Sequence, residues 1–139
     1  MSWRQPLSRR VLWQNYHPMR LFALRGANSV EVNESSAILE GTSLLIRELM
    51  DRNALTPDAM VSCIFTLTDD LDAEFPALAA RQLGLDKVPL LCAREIPVPG
   101  SVPRIVRLML HYYADEGHTP KHVYLGAARA LRSDLDAAQ

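Results

Sequence analysis

The chain has 139 residues, of which 48% are hydrophobic and 22% are charged. This length and mixture predict one folded domain and argue against a disordered chain. The formal net charge of −1 gives no reason to expect nucleic acid or an anionic membrane as a partner, and no apolar run approaches the ~20 residues of a membrane-spanning helix.

Residues 1–18 form a basic N-terminal extension, which we separate from a single domain at 19–139. The extension carries Arg4, Arg9 and Arg10, whereas the first acidic residue of the chain is Glu31. The motif SRRVLW resembles an arginine-based export signal, but QNYHP follows it instead of an apolar stretch. We therefore expect a cytoplasmic protein whose leader is an appendage to the domain.

The elements of the domain follow in chain order. A strand is predicted at 20–25 and ends at Gly26, and a long amphipathic helix at 34–53 follows with Asn33 as its N-cap. A second strand at 60–68 is rich in Val, Ile, Phe and Thr and precedes a short helix. That helix spans 76–83, and after it the pattern predicts strands at 88–94, 105–113 and 122–125 and one helical turn at 126–131.

Five strands with two real helices predict an α+β fold with a mixed sheet. In the fourth strand, Val106, Leu108 and Leu110 point to one face, while Ile105, Met109 and Tyr113 point to the other together with Arg107 and His111. Both faces are largely apolar, and one long and one short helix cannot cover both. We therefore expect one face to meet another subunit in a homo-oligomer.

The chemical signal lies in arginines at positions where strands and helices rarely need them. Arg25 ends the first strand, Arg81 lies on the short helix, Arg94 ends the third strand and Arg107 stands inside an apolar strand. Arg81 and Arg94 also fit the simpler interpretation of surface residues or ion-pair partners. A mid-strand guanidinium between Val106 and Leu108 needs an anionic partner or water, so converging arginines would make a dicarboxylate or phosphate pocket.

Other reactive residue types give weaker signals. Four scattered histidines lack metal-ligand spacing, and Cys63 and Cys92 fit buried thiols with no activating base nearby in sequence. Glu95 fits either a surface acid or a site residue, and Tyr124 fits a core aromatic with its hydroxyl at the rim. The chain has no Gly-rich phosphate loop and no nucleophile elbow, so we expect no metal and no cofactor.

Four stretches in series resemble the monofunctional, AroH-class chorismate mutases. They are LRGAN at 24–28, LDAEFPALAARQLG at 71–84, VPLLCAREIPVPGSVPRIVRLML at 88–110 and HVYLGAARALRSDL at 122–135. The resemblance runs from about residue 19 to about residue 135. It implies a homotrimer that forms a pseudo-α/β barrel, with an active site at each subunit interface.

The resemblance also assigns site residues. Arg25 matches an arginine that binds a substrate carboxylate, Arg107 matches the arginine beside the ether oxygen, and Cys92 and Glu95 match the pair that meets the ring hydroxyl. Tyr124 matches a tyrosine that contacts a carboxylate. The remaining matches are pocket-wall or contact positions: Phe75, Ala77, Arg81, Leu91, Ala93, Arg94 and Leu131. Leu91 and Leu78 depart from the family, which has a small polar residue and a lysine at these positions.

The implied reaction is the concerted [3,3] rearrangement of chorismate to prephenate in aromatic amino acid biosynthesis. It needs no covalent intermediate, proton transfer or cofactor, only conformational restriction of a dianion and electrostatic stabilisation. Two alternatives remain open at this point: a small-molecule-binding or reactive-intermediate deaminase-like protein on a similar trimeric barrel, and a non-catalytic oligomeric domain. No regulatory domain is visible, so we expect no feedback regulation.

Overall fold

The computed structural model describes residues 18–132, so the predicted leader lies outside the described residues except for Pro18. The elements in chain order are β1 Met19–Ser29, α1 Ser35–Arg52, β2 Met60–Leu67, α2 Ala77–Gln82, β3 Leu90–Arg94, β4 Ile105–Asp115 and β5 Val123–Tyr124. Short 3-10 helices lie at Pro57–Ala59 and Gly126–Ala128. The predicted α+β class, with five strands and few helices, is confirmed.

The strands form one mixed sheet in the order β3-β2-β4-β1-β5. The central strand β4 runs antiparallel to both β1 and β2, whereas β3 and β5 pair in parallel with β2 and β1. The register places Arg107 of β4 between Ala27 of β1 and Thr66 of β2. Residues from three strands therefore meet at the middle of β4.

The first strand does not end at Gly26, contrary to the sequence-based prediction. Gly26 lies inside β1, where it pairs with Leu108 on one side and Val123 on the other. A Cβ at this position would lie 2.9 Å from Cδ1 of Leu49 and 3.1 Å from Cδ1 of Leu45. The glycine therefore serves the close approach of α1 to the sheet, not a turn.

Asn33 is not the N-cap of α1. The helix begins at Ser35 after Glu34, and no side chain makes a capping hydrogen bond there. The Asn33 carboxamide instead crosses to the loop before α2: its Oδ1 accepts the backbone N–H groups of Asp72 and Ala73 at 3.0 and 3.1 Å. The Asn33 side chain makes this long-range contact and not a cap on α1, because two backbone N–H groups of that loop need an acceptor.

The helices cover one face of the sheet. The buried side of α1, including Leu45 and Leu49, packs with strand residues such as Leu24, Phe65 and Tyr112 in the main hydrophobic core. α2 adds Ala77 and Ala80 to the same cluster. Because successive residues of a strand point to opposite sides, the alternating buried positions of β4 all point to this covered face.

The opposite face of the sheet has no helix across its centre within the described chain. It exposes five large apolar side chains, which we call the uncovered face: Leu21, Ile64, Leu91, Met109 and Tyr113. At one end, a small cluster of Ala27, Ile105 and Ala128 closes the face, with Tyr124 and Leu131 packed against it. The expectation of a second apolar face without helical cover is thus confirmed.

Candidate active site on the uncovered face

A cavity of about 260 Å³ opens on the uncovered face at the middle of β4. We call it the Arg107 cavity. Its lining combines two guanidinium groups with a phenol, a hydroxyl and apolar side chains: Arg25, Gly26, Ile64, Thr66, Arg107, Leu108, Met109 and Tyr124. Of the predicted site residues, the structure therefore brings Arg25, Arg107 and Tyr124 together.

Arg107 extends beside a carboxylate. Its Nε lies 3.1 Å from Oε1 of Glu95. The Nε atom is buried, and its N–H is not directed at a hydrogen-bond acceptor, so this contact is an ion pair without an aligned hydrogen bond. The same Glu95 oxygen accepts the hydroxyl of Thr66, and the Glu95 backbone N–H donates to Leu67 at 2.9 Å. Glu95 is thereby fixed from two sides next to the guanidinium.

Arg25 is held through its backbone. Its N–H donates to Nδ1 of His122 at 2.9 Å, and the residue pairs with Met109 across the sheet. Burial, and then the positive charge of Arg25, lower the pKa of His122 below its usual 6.5. The neutral ring that accepts this hydrogen bond is therefore favoured. Tyr124 follows in β5, where it pairs with Ala27.

Cys92 does not line the Arg107 cavity. It lies opposite Phe65 in the sheet register and packs against the main core, so its thiol points to the covered face. The predicted pair with Glu95 is therefore divided between the two faces, because positions three apart in a strand point in opposite directions. Leu91 and Ala93 alternate with Cys92 and point to the uncovered face, where Leu91 is exposed.

A second cavity, of about 320 Å³, lies between β3 and the segment before α2. Phe75, Cys92, Ala93 and Arg94 contribute to its lining. The Arg94 guanidinium is occupied there, because its Nη1 donates to the carbonyls of Thr68 and Leu71 at 3.0 and 2.9 Å. Arg94 is thus a brace for a loop within this chain and does not join Arg25 and Arg107.

The FPA…R element lies away from the Arg107 cavity. Phe75 is 70% exposed, while Ala77 is buried in the core at 4% exposure, so its methyl group is not part of an open pocket wall. Arg81 is exposed on α2. None of these three side chains lines the Arg107 cavity of its own chain.

The remaining cysteine is inert. Burial, with a smaller contribution from neighbouring Cys92, raises the pKa of Cys63 to about 12. A thiol with such a pKa stays protonated at neutral pH and is a poor nucleophile. Among residues 18–132, no three His, Cys, Asp or Glu side chains are grouped so as to hold a metal ion. No helix in that same part of the chain has the length and apolar character needed to cross a membrane.

Sequence reasoning missed five cavity residues, of which Gly26 and Leu108 have sheet positions that alternate to the covered face, and one neighbour. Ile64, Thr66 and Met109 line the cavity, and His122 holds Arg25. Thr66 becomes recognisable only once the β2–β4 register places it opposite Arg107. The signal for Ile64 and Met109 was present in the strand alternation, which assigned Met109 to the same face as Arg107.

Comparison with known proteins agrees with this arrangement. A sequence model of the family "Chorismate mutase type I" matches residues 21–135. Chorismate mutase AroH of Thermus thermophilus is 44% identical over 121 residues, covering 84% of this chain and 97% of that protein. Chorismate mutase AroH of Bacillus subtilis is 34% identical over 119 residues, covering 84% of this chain and 94% of that protein.

A solved structure gives the same result. A chorismate mutase from Clostridium thermocellum superposes with a TM-score of 0.75 and 41% sequence identity, covering 78% of this chain and 98% of that one. A sheet that carries two cavity arginines beside a carboxylate, on a chain of this ancestry, defines an isomerase of the chorismate mutase class. The chain belongs to the chorismate mutase type I family, whose members rearrange chorismate to prephenate. This family membership replaces the deaminase-like alternative.

Proposed function

We propose that the Arg107 cavity is where chorismate is bound and rearranged, and that the enzyme works as a homotrimer. The observation that carries the proposal is the shared cavity of Arg25 and Arg107 with Glu95 beside it. Chorismate is a dianion with a ring hydroxyl and an enolpyruvyl ether. Two cations on a single sheet face attract this dianion, and the carboxylate beside them is an acceptor for its ring hydroxyl.

Arg25 and Tyr124 bind a substrate carboxylate in this proposal. The guanidinium provides a planar pair of donors, and the tyrosine hydroxyl adds a further donor from the neighbouring strand. Gripping the carboxylates restrains chorismate in the compact diaxial shape in which the two reacting carbons approach each other. Positioning of this kind supplies a large share of the rate in a unimolecular reaction that has no chemical partner.

Arg107 and Glu95 respond to the charge that develops during the reaction. Cleavage of the C–O bond runs ahead of C–C bond formation, so negative charge grows on the ether oxygen and positive charge on the ring. The Arg107 guanidinium stabilises the oxygen, while Glu95 accepts the ring hydroxyl and lies near the positive carbon framework. Both groups are fixed on or next to strands before substrate arrives, so no reorganisation is needed during the reaction.

Cys92 contributes through its backbone in this proposal. Glu95 donates its N–H to Leu67 of β2, and the carbonyl of Pro89 accepts the N–H of Cys63, so odd-numbered residues of β3 turn their peptide groups towards β2. In a parallel ladder the alternate residues then turn theirs outward. The N–H of Cys92 therefore points outward from the free edge of the sheet, where it can donate to a hydroxyl of a bound molecule that extends past Glu95 to this edge, while the thiol stays on the covered face.

The trimer supplies what one chain lacks. The uncovered face carries exposed apolar side chains, among them Met109 at 40% and Leu91 at 61%, and these require burial. Phe75 and Arg81 do not line the cavity of their own chain. In the proposed cyclic trimer, α2 of one subunit and the segment just before it lie against the uncovered face of the next subunit and add Arg81 and Phe75 to its site. The same contact excludes water from the Arg107–Glu95 pair.

Two measurements test the proposal. Loss of chorismate absorbance, followed with purified protein, measures the rearrangement directly. Light scattering at micromolar concentration should give three times the chain mass of 15.6 kDa. An active monomer would refute the interfacial site while leaving the reaction assigned. The cytoplasmic location and the dispensable leader remain predictions.

A further inference from the structure

His122 extends the pairing of β1 by one position. β5 consists of only two residues, which pair with Gly26 and Ala27 of β1. One position earlier in β1, the N–H of Arg25 meets Nδ1 of His122 at a distance of 2.9 Å. An imidazole nitrogen thus accepts the hydrogen bond that a carbonyl of a longer β5 would otherwise accept.

The backbone before His122 is clamped independently of the cavity. The side-chain oxygen of Asn53 accepts the N–H of Lys121 at 2.8 Å, and its amide nitrogen donates to the Lys121 carbonyl at 3.0 Å. Asn53 also donates to the carbonyl of Leu49, and it is only 6% exposed. A buried amide at the end of α1 therefore fixes the peptide groups on both sides of Lys121, which sets where the His122 ring lies.

We propose that His122 is a positioning residue that orients Arg25 for binding the substrate carboxylate. This inference rests on the proposed role of Arg25 in the Arg107 cavity. The residues that line the cavity do not include His122, so the ring acts on substrate only through Arg25. Fixing the Arg25 peptide restricts the directions its long side chain takes, and it lowers the entropy lost when the guanidinium grips a carboxylate.

The hydrogen bond has a strict chemical requirement. Nδ1 accepts only when the ring is neutral and carries its proton on Nε2. The Oδ1 atom of asparagine lies at the same branch position as Nδ1 and is an acceptor. Glutamine has the same functional group one methylene further out, and alanine has no acceptor. The variants His122→Asn, His122→Gln and His122→Ala therefore separate the acceptor position from the bulk of the ring.

Steady-state kinetics with chorismate should divide these variants into two groups. His122→Ala and His122→Gln should raise KM about three- to tenfold, the range for one lost hydrogen bond, and change kcat by less than about twofold. The effect falls on KM because Arg25 holds a carboxylate that is present in both the ground state and the transition state. His122→Asn should restore KM to within about twofold of the native value.

A double-mutant cycle with Arg25→Ala distinguishes positioning from general support of the fold. Arg25→Ala keeps the backbone N–H of position 25 but removes the guanidinium, so adding His122→Ala to it should produce no further rise in KM. Equal KM effects of His122→Ala in both backgrounds would overturn the proposal, as would failure of His122→Asn to restore KM. If Arg25→Ala alone leaves KM unchanged, the proposed role of Arg25 is wrong. That result comes from a variant with native His122, so it is distinguishable from failure of the His122 proposal. If His122→Ala does not fold, the Asn and Gln variants give the same comparison.

Discussion

Replacing Arg107 by alanine should reduce kcat about 10²–10³-fold, because it removes the proposed preorganised donor to the ether oxygen. The Arg107 side chain is 41% exposed in the single chain, and its Nε lies 3.1 Å from the Glu95 carboxylate. The proposed neighbouring subunit would cover it, which lowers the local dielectric and favours the upper end of this range. KM should change far less than kcat, because the interaction grows between the ground state and the transition state.

Two further variants show where the effect arises. Arg107→Lys keeps the charge but not the planar pair of donors, so it should recover only part of the lost rate. Arg20→Ala is the matched control, because Arg20 is an exposed arginine near the start of β1 that does not line the cavity. Its kcat should stay within about twofold of the native value, as expected for a surface substitution.

Removing Arg107 also leaves Glu95 without its ion-pair partner, although the Thr66 hydroxyl still donates to it. The double variant Arg107→Ala/Glu95→Gln tests whether the rate loss reflects an uncompensated carboxylate or the missing donor. If the missing donor dominates, the double variant should be no faster than Arg107→Ala alone. A kcat for Arg107→Ala near the native value, in a protein of unchanged mass by light scattering, would refute the assignment of the ether-oxygen donor.

Gly26→Ala should lower the free energy of unfolding by about 1–3 kcal/mol in urea titrations, because its Cβ would crowd Leu49; an unchanged midpoint would contradict the close packing of α1. Cys92→Ser should keep most of the activity, whereas a substrate adduct on Cys92 by mass spectrometry would show a nucleophile. Because the pKa of His122 is lowered in the folded protein, the unfolded chain binds a proton below about pH 6.5 more readily than the folded chain does. The free energy of unfolding should therefore fall as pH decreases through this range, and it should fall less in His122→Asn. Deleting residues 1–17 should leave kcat intact. The deletion stops before Pro18 because the Pro18 carbonyl accepts the Glu116 N–H.

The local sequence pattern was sufficient to predict the main strands and helices and to single out Arg107. Strand alternation in β4 and the helical spacing of α1 are set by burial of one face, so they are visible without tertiary information. Arg107 stood out for the same reason, since a cation between Val106 and Leu108 contradicts the apolar pattern around it. Gly26 was misjudged because a glycine that ends a strand and one that admits a helix have the same local sequence signal.

Pairing between strands required the structure. Thr66 faces Arg107, and His122 meets Arg25, only through registers that join segments about 40 and 100 residues apart. The face on which the Cys92 side chain lies did not require the structure. The odd spacing between positions 92 and 95 already places the two side chains on opposite faces of a regular strand. The prediction that Cys92 and Glu95 act as a pair followed the family resemblance and not this alternation of strand residues.

The proposed subunit contact and the placement of the candidate site have a common physical origin. Covering the apolar side chains of the uncovered face, such as Met109 and Leu91, also removes water from Arg107 and Glu95. Desolvating a cation and a carboxylate is costly unless each gains a partner, and the ion pair in this chain lacks an aligned hydrogen bond at Nε. A dianionic substrate with a hydroxyl supplies acceptors for the arginines and a donor for the carboxylate. In the proposed trimer, subunit contact would remove water from these charges and the substrate would supply their partners, which gives a physical reason for a site at the interface.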